Sequence, residues 1–210
     1  SNIHDFIILE KANDVGGTWR ENQYPGAACD VQSHMYSLSF APKADWSRRY
    51  AEAPEIYAYI QHVVTEFDLK KYCQFNTEVL AAKYSEDECE WHLTLNNNET
   101  LIAQFVVFAS GPLHVPQIPQ IKGLDQFKGE IFHSAKWNHQ YDLTDKKVAS
   151  IGTGGSAIQY IPEIADKVNQ LYVFQRTAAW VIPRDDRKYL NIEKTLFPLS
   201  KILNYKKLCI

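Results

Sequence analysis

The first apolar signal along the chain is Phe6-Ile7-Ile8-Leu9, a continuous run closed by Glu10. A short run without polar alternation predicts a strand buried on both faces of a parallel sheet. Within Pro54 to Leu69, residues Ile56, Tyr59, Ile60, Val63, Val64 and Phe67 recur at spacings of three and four. That period, with a proline suited to the first turn, predicts an amphipathic helix. From Val79 to Ala109, stretches rich in Tyr, Trp, Leu, Val and Phe flank Asn96-Asn97-Asn98. They predict a β-meander that ends in a buried run, Phe105-Val106-Val107-Phe108, before Gly111 and Pro112 stop it. The prolines at 112, 116 and 119 favour an extended connection and put a domain boundary there. A strand over Val148 to Ile151, a helix with Ile158, Ile161 and Ile164 running to Lys167, and a strand over Leu171 to Phe174 then form one βαβ unit. Beyond Arg184 basic and apolar residues alternate, which predicts the start of helices; Lys201, Lys206 and Lys207 argue against a membrane span there.

Composition narrows the function classes. The 210 residues carry 22 Lys plus Arg against 25 Asp plus Glu, a net charge of -3, and no basic run longer than a pair. This gives no electrostatic footprint for nucleic acid. With 45% hydrophobic residues the chain is long enough for one ordinary core or two small ones. The four cysteines, Cys29, Cys73, Cys89 and Cys209, lack the close spacings of a zinc site or a redox pair, so no metal site is expected and a reduced, cytoplasmic protein fits best. Neither a signal peptide nor a membrane span is predicted, and no protein partner is indicated.

Candidate chemistry begins at Gly152-Thr153-Gly154-Gly155-Ser156-Ala157, which follows a predicted strand and opens a predicted helix. This is the setting of a dinucleotide fingerprint: Gly152 for the tight turn, Gly154 for close approach to a pyrophosphate, Ala157 for helix packing, and the phosphates at the helix N-terminus. The plainer reading is an ordinary glycine-rich turn. Where an NAD-preferring site carries an acid at the end of the second strand, this chain has Gln175-Arg176-Thr177. A guanidinium at Arg176 suits a 2′-phosphate, which favours NADPH over NADH; otherwise it is a solvated strand-end cation. Glu10 ends its strand as a ribose-binding acid would, yet only nine residues precede it. The expectation is therefore a first dinucleotide fold without its N-terminal strand and glycine turn, in a truncated chain.

Gly16-Gly17-Thr18-Trp19, Tyr24-Pro25-Gly26-Ala27-Ala28-Cys29-Asp30 and Tyr36-Ser37-Leu38-Ser39-Phe40 follow Glu10, and Phe127-x-Gly129-x-x-x-His133-x-x-x-Trp137 precedes the glycine motif. Together these segments resemble a class B flavin monooxygenase, most closely the Baeyer-Villiger type, from about Phe6 to Pro183. Trp137 favours that branch over the N- and S-oxygenating relatives, and Asn138 departs from the usual Pro or Asp. The resemblance implies an α/β chain with two Rossmann-like domains and a β-meander: a partial FAD-binding domain over 1–114, a connection with the His/Trp motif over 115–146, an NADP-binding βαβ unit over 147–183 and the start of a helical segment over 184–210.

It also implies residue roles. Glu10 would hold the adenosine ribose of FAD; Gly17, Thr18, Trp19 and Arg20 would line the flavin side, with Tyr36 and Val79 touching the same cofactor. Asp30 would orient a catalytic arginine expected beyond Ile210, because a carboxylate fixes a guanidinium's geometry. Phe127, Gly129, His133 and Trp137 would couple nicotinamide binding to flavin chemistry. Read without the family, Asp30 is a turn residue and Trp19, His133 and Trp137 are packing residues. The implied reaction uses NADPH, FAD and O2 to insert one oxygen beside a ketone carbonyl. The alternatives are flavin N- or S-oxygenation and a non-catalytic truncated remnant. A disulfide reductase is disfavoured because Cys29 has no nearby cysteine in sequence.

Overall fold

The computed structural model describes residues 5–111, 115–180 and 182–197. The expected stop at Pro112, the thiol of Cys209 and the tail lysines Lys201, Lys206 and Lys207 lie outside them. In chain order the elements are β1 (Ile8–Leu9), α1 (Thr18–Glu21), α2 (Ala53–Glu66), β2 (Cys73–Gln74), β3 (Val79–Ser85), β4 (Glu90–Leu95), β5 (Thr100–Ala103), β6 (Lys147–Ile151), α3 (Ala157–Ala165) and β7 (Gln170–Phe174). By contacts they group into two units. One comprises residues 1–17 and 60–115, the other 18–59 and 116–210.

In the first unit β1 pairs in parallel with β2, and β3, β4 and β5 form an antiparallel meander. The asparagine turn forms as its residue types predict: Asn98 takes φ 66° and its amide donates to the Leu95 carbonyl at 3.0 Å. Leu93 and Leu95 of β4 and Val63 of α2 are buried. Two expectations fail. The meander ends at Ala103, and the run Phe105 to Phe108 forms no strand, with Phe105 87% and Val107 88% exposed. The run at Phe6 is likewise not enclosed: only Ile8 and Leu9 pair, and Phe6, Ile7 and Ile8 are exposed. A continuous apolar run becomes a doubly buried strand only when neighbouring strands and covering helices flank it. Among the described residues, the short β2 is the partner that β1 has.

In the second unit β6, α3 and β7 form the predicted parallel βαβ unit, in register from Lys147 with Gln170 to Ile151 with Phe174. The Ser150 and Tyr160 hydroxyls share a hydrogen bond of 2.7 Å, satisfying a buried polar group between β6 and α3. The first half of α2 contributes buried Ala53, Ile56 and Tyr59. The Tyr59 ring lies 5.5 Å from Trp46, and its hydroxyl accepts from the Leu38 amide and donates to the Ala41 carbonyl. Residues 185–189 run beside 47–50 through the bridge Arg48 to Lys188 and the ion pairs Arg48 with Asp186 and Arg49 with Asp185. Residues 191–197 are helical.

Gly26 makes a close approach to α3. It has φ +73°, and an added Cβ would lie 2.8 Å from both the Gln159 carbonyl oxygen and Glu163 Cγ of α3. Gly26→Ala is expected to cost about 1–3 kcal/mol, because left-handed backbone and a backbone clash are imposed together. Chemical denaturation checks this; an unchanged midpoint would show that α3 yields without cost. Among the described residues no helix is long and apolar enough to cross a membrane.

Candidate functional site

The structure distributes the sequence-predicted residues between the two units. Glu10, Gly17 and Val79 belong to the first. Glu10 directly follows β1, its carboxylate accepting from the Ala12 amide at 2.9 Å and its backbone carbonyl from the Thr77 amide. Gly17 has φ +46°, and a Cβ there would meet nothing within 4 Å, so the backbone is open to a close-lying group. Val79 starts β3 at an irregularity in its register with β4.

The second unit holds the remaining residues. Trp19 in α1 donates its Nε1 hydrogen to the Tyr36 hydroxyl at 3.1 Å, with the rings edge-on at 5.6 Å. Thr18 is exposed, and Arg20 pairs with Glu21 at 2.8 Å. Asp30 lies exposed at the end of the loop 24–30. Burial pushes the Tyr36 phenol above its ordinary value and the negative charge of Asp30 adds to the shift. Burial raises the Cys29 thiol in the same way, again with Asp30 contributing.

A cavity of about 390 Å³ adjoins Trp19 and Arg20 and is lined also by Tyr24, Ala53, Tyr57 and His139. Trp137 packs beside the buried cluster of Tyr24, Ala27 and Ala53, with its ring 5.2 Å from Tyr160 of α3 and 5.1 Å from Phe132. His133 caps a short 3-10 turn, its Nδ1 accepting from the Ala135 amide at 3.1 Å. Phe127 is exposed, and its ring occupies the space a Cβ at Gly129 would need, at 2.5 Å.

The glycine turn has the form its spacing predicts. Gly152 takes φ +104° and its amide donates to the Phe174 carbonyl at 2.8 Å, holding the turn to the end of β7. A Cβ at Gly152, Gly154 or Gly155 would meet nothing within 4 Å. Backbone therefore stands open at the N-terminus of a nine-residue helix, the feature a pyrophosphate requires. Thr153 and Ser156 are half-buried in this turn and Ala157 is buried behind it. Arg176 and Thr177 follow β7 and are exposed.

Two contacts were not legible in the sequence. Gln159 of α3 bonds Tyr24 and both backbone groups of Ala28, and Arg184 donates to the Cys29 carbonyl at 2.8 Å while its guanidinium lies 4.7 Å over the Tyr50 ring. The helix pattern predicts an apolar stripe, and a glutamine set between Ile158 and Tyr160 is the one sequence hint of the first. A further grouping not singled out by spacing is Glu88, Glu90 and His92 on the β3–β4 hairpin. His92 Nε2 lies 3.0 Å from Glu88 and 3.5 Å from Glu90, which are ion-pair distances on an exposed surface.

Residues 4–197 match the flavin-binding monooxygenase-like family. A Baeyer-Villiger monooxygenase of Streptomyces coelicolor is 49% identical over 194 residues, covering 92% of this chain and 37% of that protein. The solved structure of oxidized steroid monooxygenase bound to NADP is similar with a TM-score of 0.83 at 41% identity, covering 92% of this chain and 39% of its own. The open crystal structure of cyclohexanone monooxygenase gives a TM-score of 0.87 at 35% identity, covering 96% of this chain and 40% of its own. The chain thus spans less than half the length of these relatives and has the α/β dinucleotide-binding fold they share. With the βαβ glycine turn in place and nearly the whole chain matched, this protein belongs to the flavin-binding monooxygenase-like family.

Proposed function

We propose that this chain is part of a Baeyer-Villiger monooxygenase that uses NADPH, FAD and O2 to insert one oxygen beside the carbonyl of a small ketone. The observation that carries the reading is the open glycine turn of the βαβ unit, followed by Arg176 and sharing a unit with Trp19, Tyr36 and Asp30. The 49% identity to a Baeyer-Villiger monooxygenase supports the reaction class. In this reading residues 1–114 belong to an FAD-binding domain, 115–146 connect, 147–183 bind NADPH and 184–210 begin a helical segment.

Each residue has a defined task. Gly152, Thr153, Gly154, Gly155, Ser156 and Ala157 cradle the pyrophosphate of NADPH, and Arg176 with Thr177 holds its 2′-phosphate. Glu10 holds the FAD ribose, and Gly17, Thr18, Trp19, Arg20, Tyr36 and Val79 contact the flavin nucleotide. Asp30 fixes a guanidinium beside the flavin ring. Phe127, Gly129, His133 and Trp137 link the two nucleotide sites. When bound, NADPH supplies hydride and FAD the oxygen-transfer chemistry.

The test replaces the homologous stretch of the Streptomyces coelicolor enzyme with residues 1–210. The chimera is expected to oxidise NADPH faster when a ketone is added and to place one O2-derived oxygen in an ester or lactone. Asp30→Ala should keep the flavin and lower ester formation about 10- to 100-fold, the effect of a misplaced catalytic group. Efficient oxygenation of amines or sulfides without ester would replace the reading by the N- or S-oxygenating alternative. A flavin-loaded chimera that oxidises no NADPH would leave the non-catalytic one.

A further inference from the structure

The loop 24–30 leads to Asp30, and every backbone polar group from Ala27 O to Cys29 O has a partner. The Ala53 amide donates to the Ala27 carbonyl at 2.8 Å, and the Cys29 amide donates to the Ala51 carbonyl at 2.9 Å. Between them, Ala28 is not held by its neighbouring strand-like segment alone. Its amide donates to Gln159 Oε1 at 3.2 Å and its carbonyl accepts from Gln159 Nε2 at 2.9 Å. The same Oε1 accepts from the Tyr24 hydroxyl at 3.0 Å. A carboxamide carries a donor and an acceptor on one planar group, which is what the two backbone groups of a single residue require. The close approach at Gly26 brings the loop against the backbone of the same helix.

Gln159 is the third residue of α3, directly behind the glycine turn. Its carboxamide thus ties the start of α3 to Ala28, two residues before Asp30, through two directional hydrogen bonds. We infer that Gln159 is a positioning residue that fixes the Asp30 loop and couples it to nucleotide binding at the glycine turn. The coupling rests on the nucleotide reading given above; the hold on the loop does not.

Cys29 provides the probe, since it is 2% exposed within the loop while Cys89 is exposed elsewhere in the chain. Alkylation by N-ethylmaleimide is followed cysteine by cysteine with peptide mass spectrometry on the 210-residue chain. Gln159→Met keeps the volume and removes the bonds, and is expected to accelerate Cys29 alkylation at least about tenfold while leaving Cys89 unchanged. Tyr24→Phe removes one of the three bonds and should give a smaller acceleration, so the inference stands on a second variant if Gln159→Met folds poorly. An unchanged Cys29 rate in both variants overturns the hold.

Saturating NADPH should slow Cys29 alkylation in the unmodified chain, and this nucleotide dependence should vanish in Gln159→Met although NADPH still binds. A residue that merely stabilised the fold would raise both rates by one factor and leave their ratio intact. NADPH that binds by fluorescence titration but does not change the Cys29 rate in the unmodified chain overturns the coupling. Failure of NADPH to bind at all overturns the nucleotide reading and the coupling with it, while the nucleotide-free rates still decide the hold.

Discussion

Arg176→Ala is expected to weaken NADPH binding by about one to two decades and to leave NADH nearly untouched. A charge-assisted, bidentate pair with a phosphate contributes roughly 1.5 to 3 kcal/mol, and only NADPH offers the 2′-phosphate that would form it. The placement favours this outcome: Arg176 is exposed two residues past the end of β7, the strand whose Phe174 carbonyl holds Gly152 of the turn. Arg176→Lys keeps the charge but loses the planar fork, so its effect falls between. Fluorescence titration of both nucleotides at one ionic strength decides the matter. An equal loss for NADH and NADPH assigns Arg176 a structural role.

The largest loss of stability is expected at Trp46. This residue is 1% exposed, sits 5.5 Å from the Tyr59 ring and has the Lys43 ammonium 5.1 Å over its face. Trp46→Ala removes the whole packed indole and should cost about 3–5 kcal/mol, the range for aromatic truncation in a core. Its Nε1 is buried without a hydrogen-bond partner. Trp46→Phe therefore sacrifices volume but no hydrogen bond and should cost less than half as much. Urea unfolding followed by far-ultraviolet circular dichroism measures both. A loss for Trp46→Ala below about 1 kcal/mol would falsify the view that this indole anchors the core of its unit.

What the sequence determined is what local rules encode. The spacing of Ile56, Tyr59 and Val63 places one face of α2 inward, and all three are buried. Three successive asparagines make the turn between β4 and β5, because Asn tolerates the left-handed conformation that Asn98 adopts. The strand, glycine turn and helix of the βαβ unit are set by short-range periodicity and by the freedom of Gly152 to take a positive φ. Family membership was likewise legible, since it rests on ordered short motifs.

Tertiary structure alone decided which segments meet. The Phe6 and Phe105 runs have the composition of buried strands, yet composition does not state whether neighbours are present to cover them, and both are exposed. Residues 18–59 follow Gly17 in sequence but group by contacts with residues 116 onward. The grip of Gln159 on Ala28 spans 131 residues, and that of Arg184 on Cys29 spans 155. Periodicity marks the face a helix buries. It does not say which distant backbone amide and carbonyl will stand opposite a polar side chain, because that hydrogen bond exists only once packing has fixed both partners.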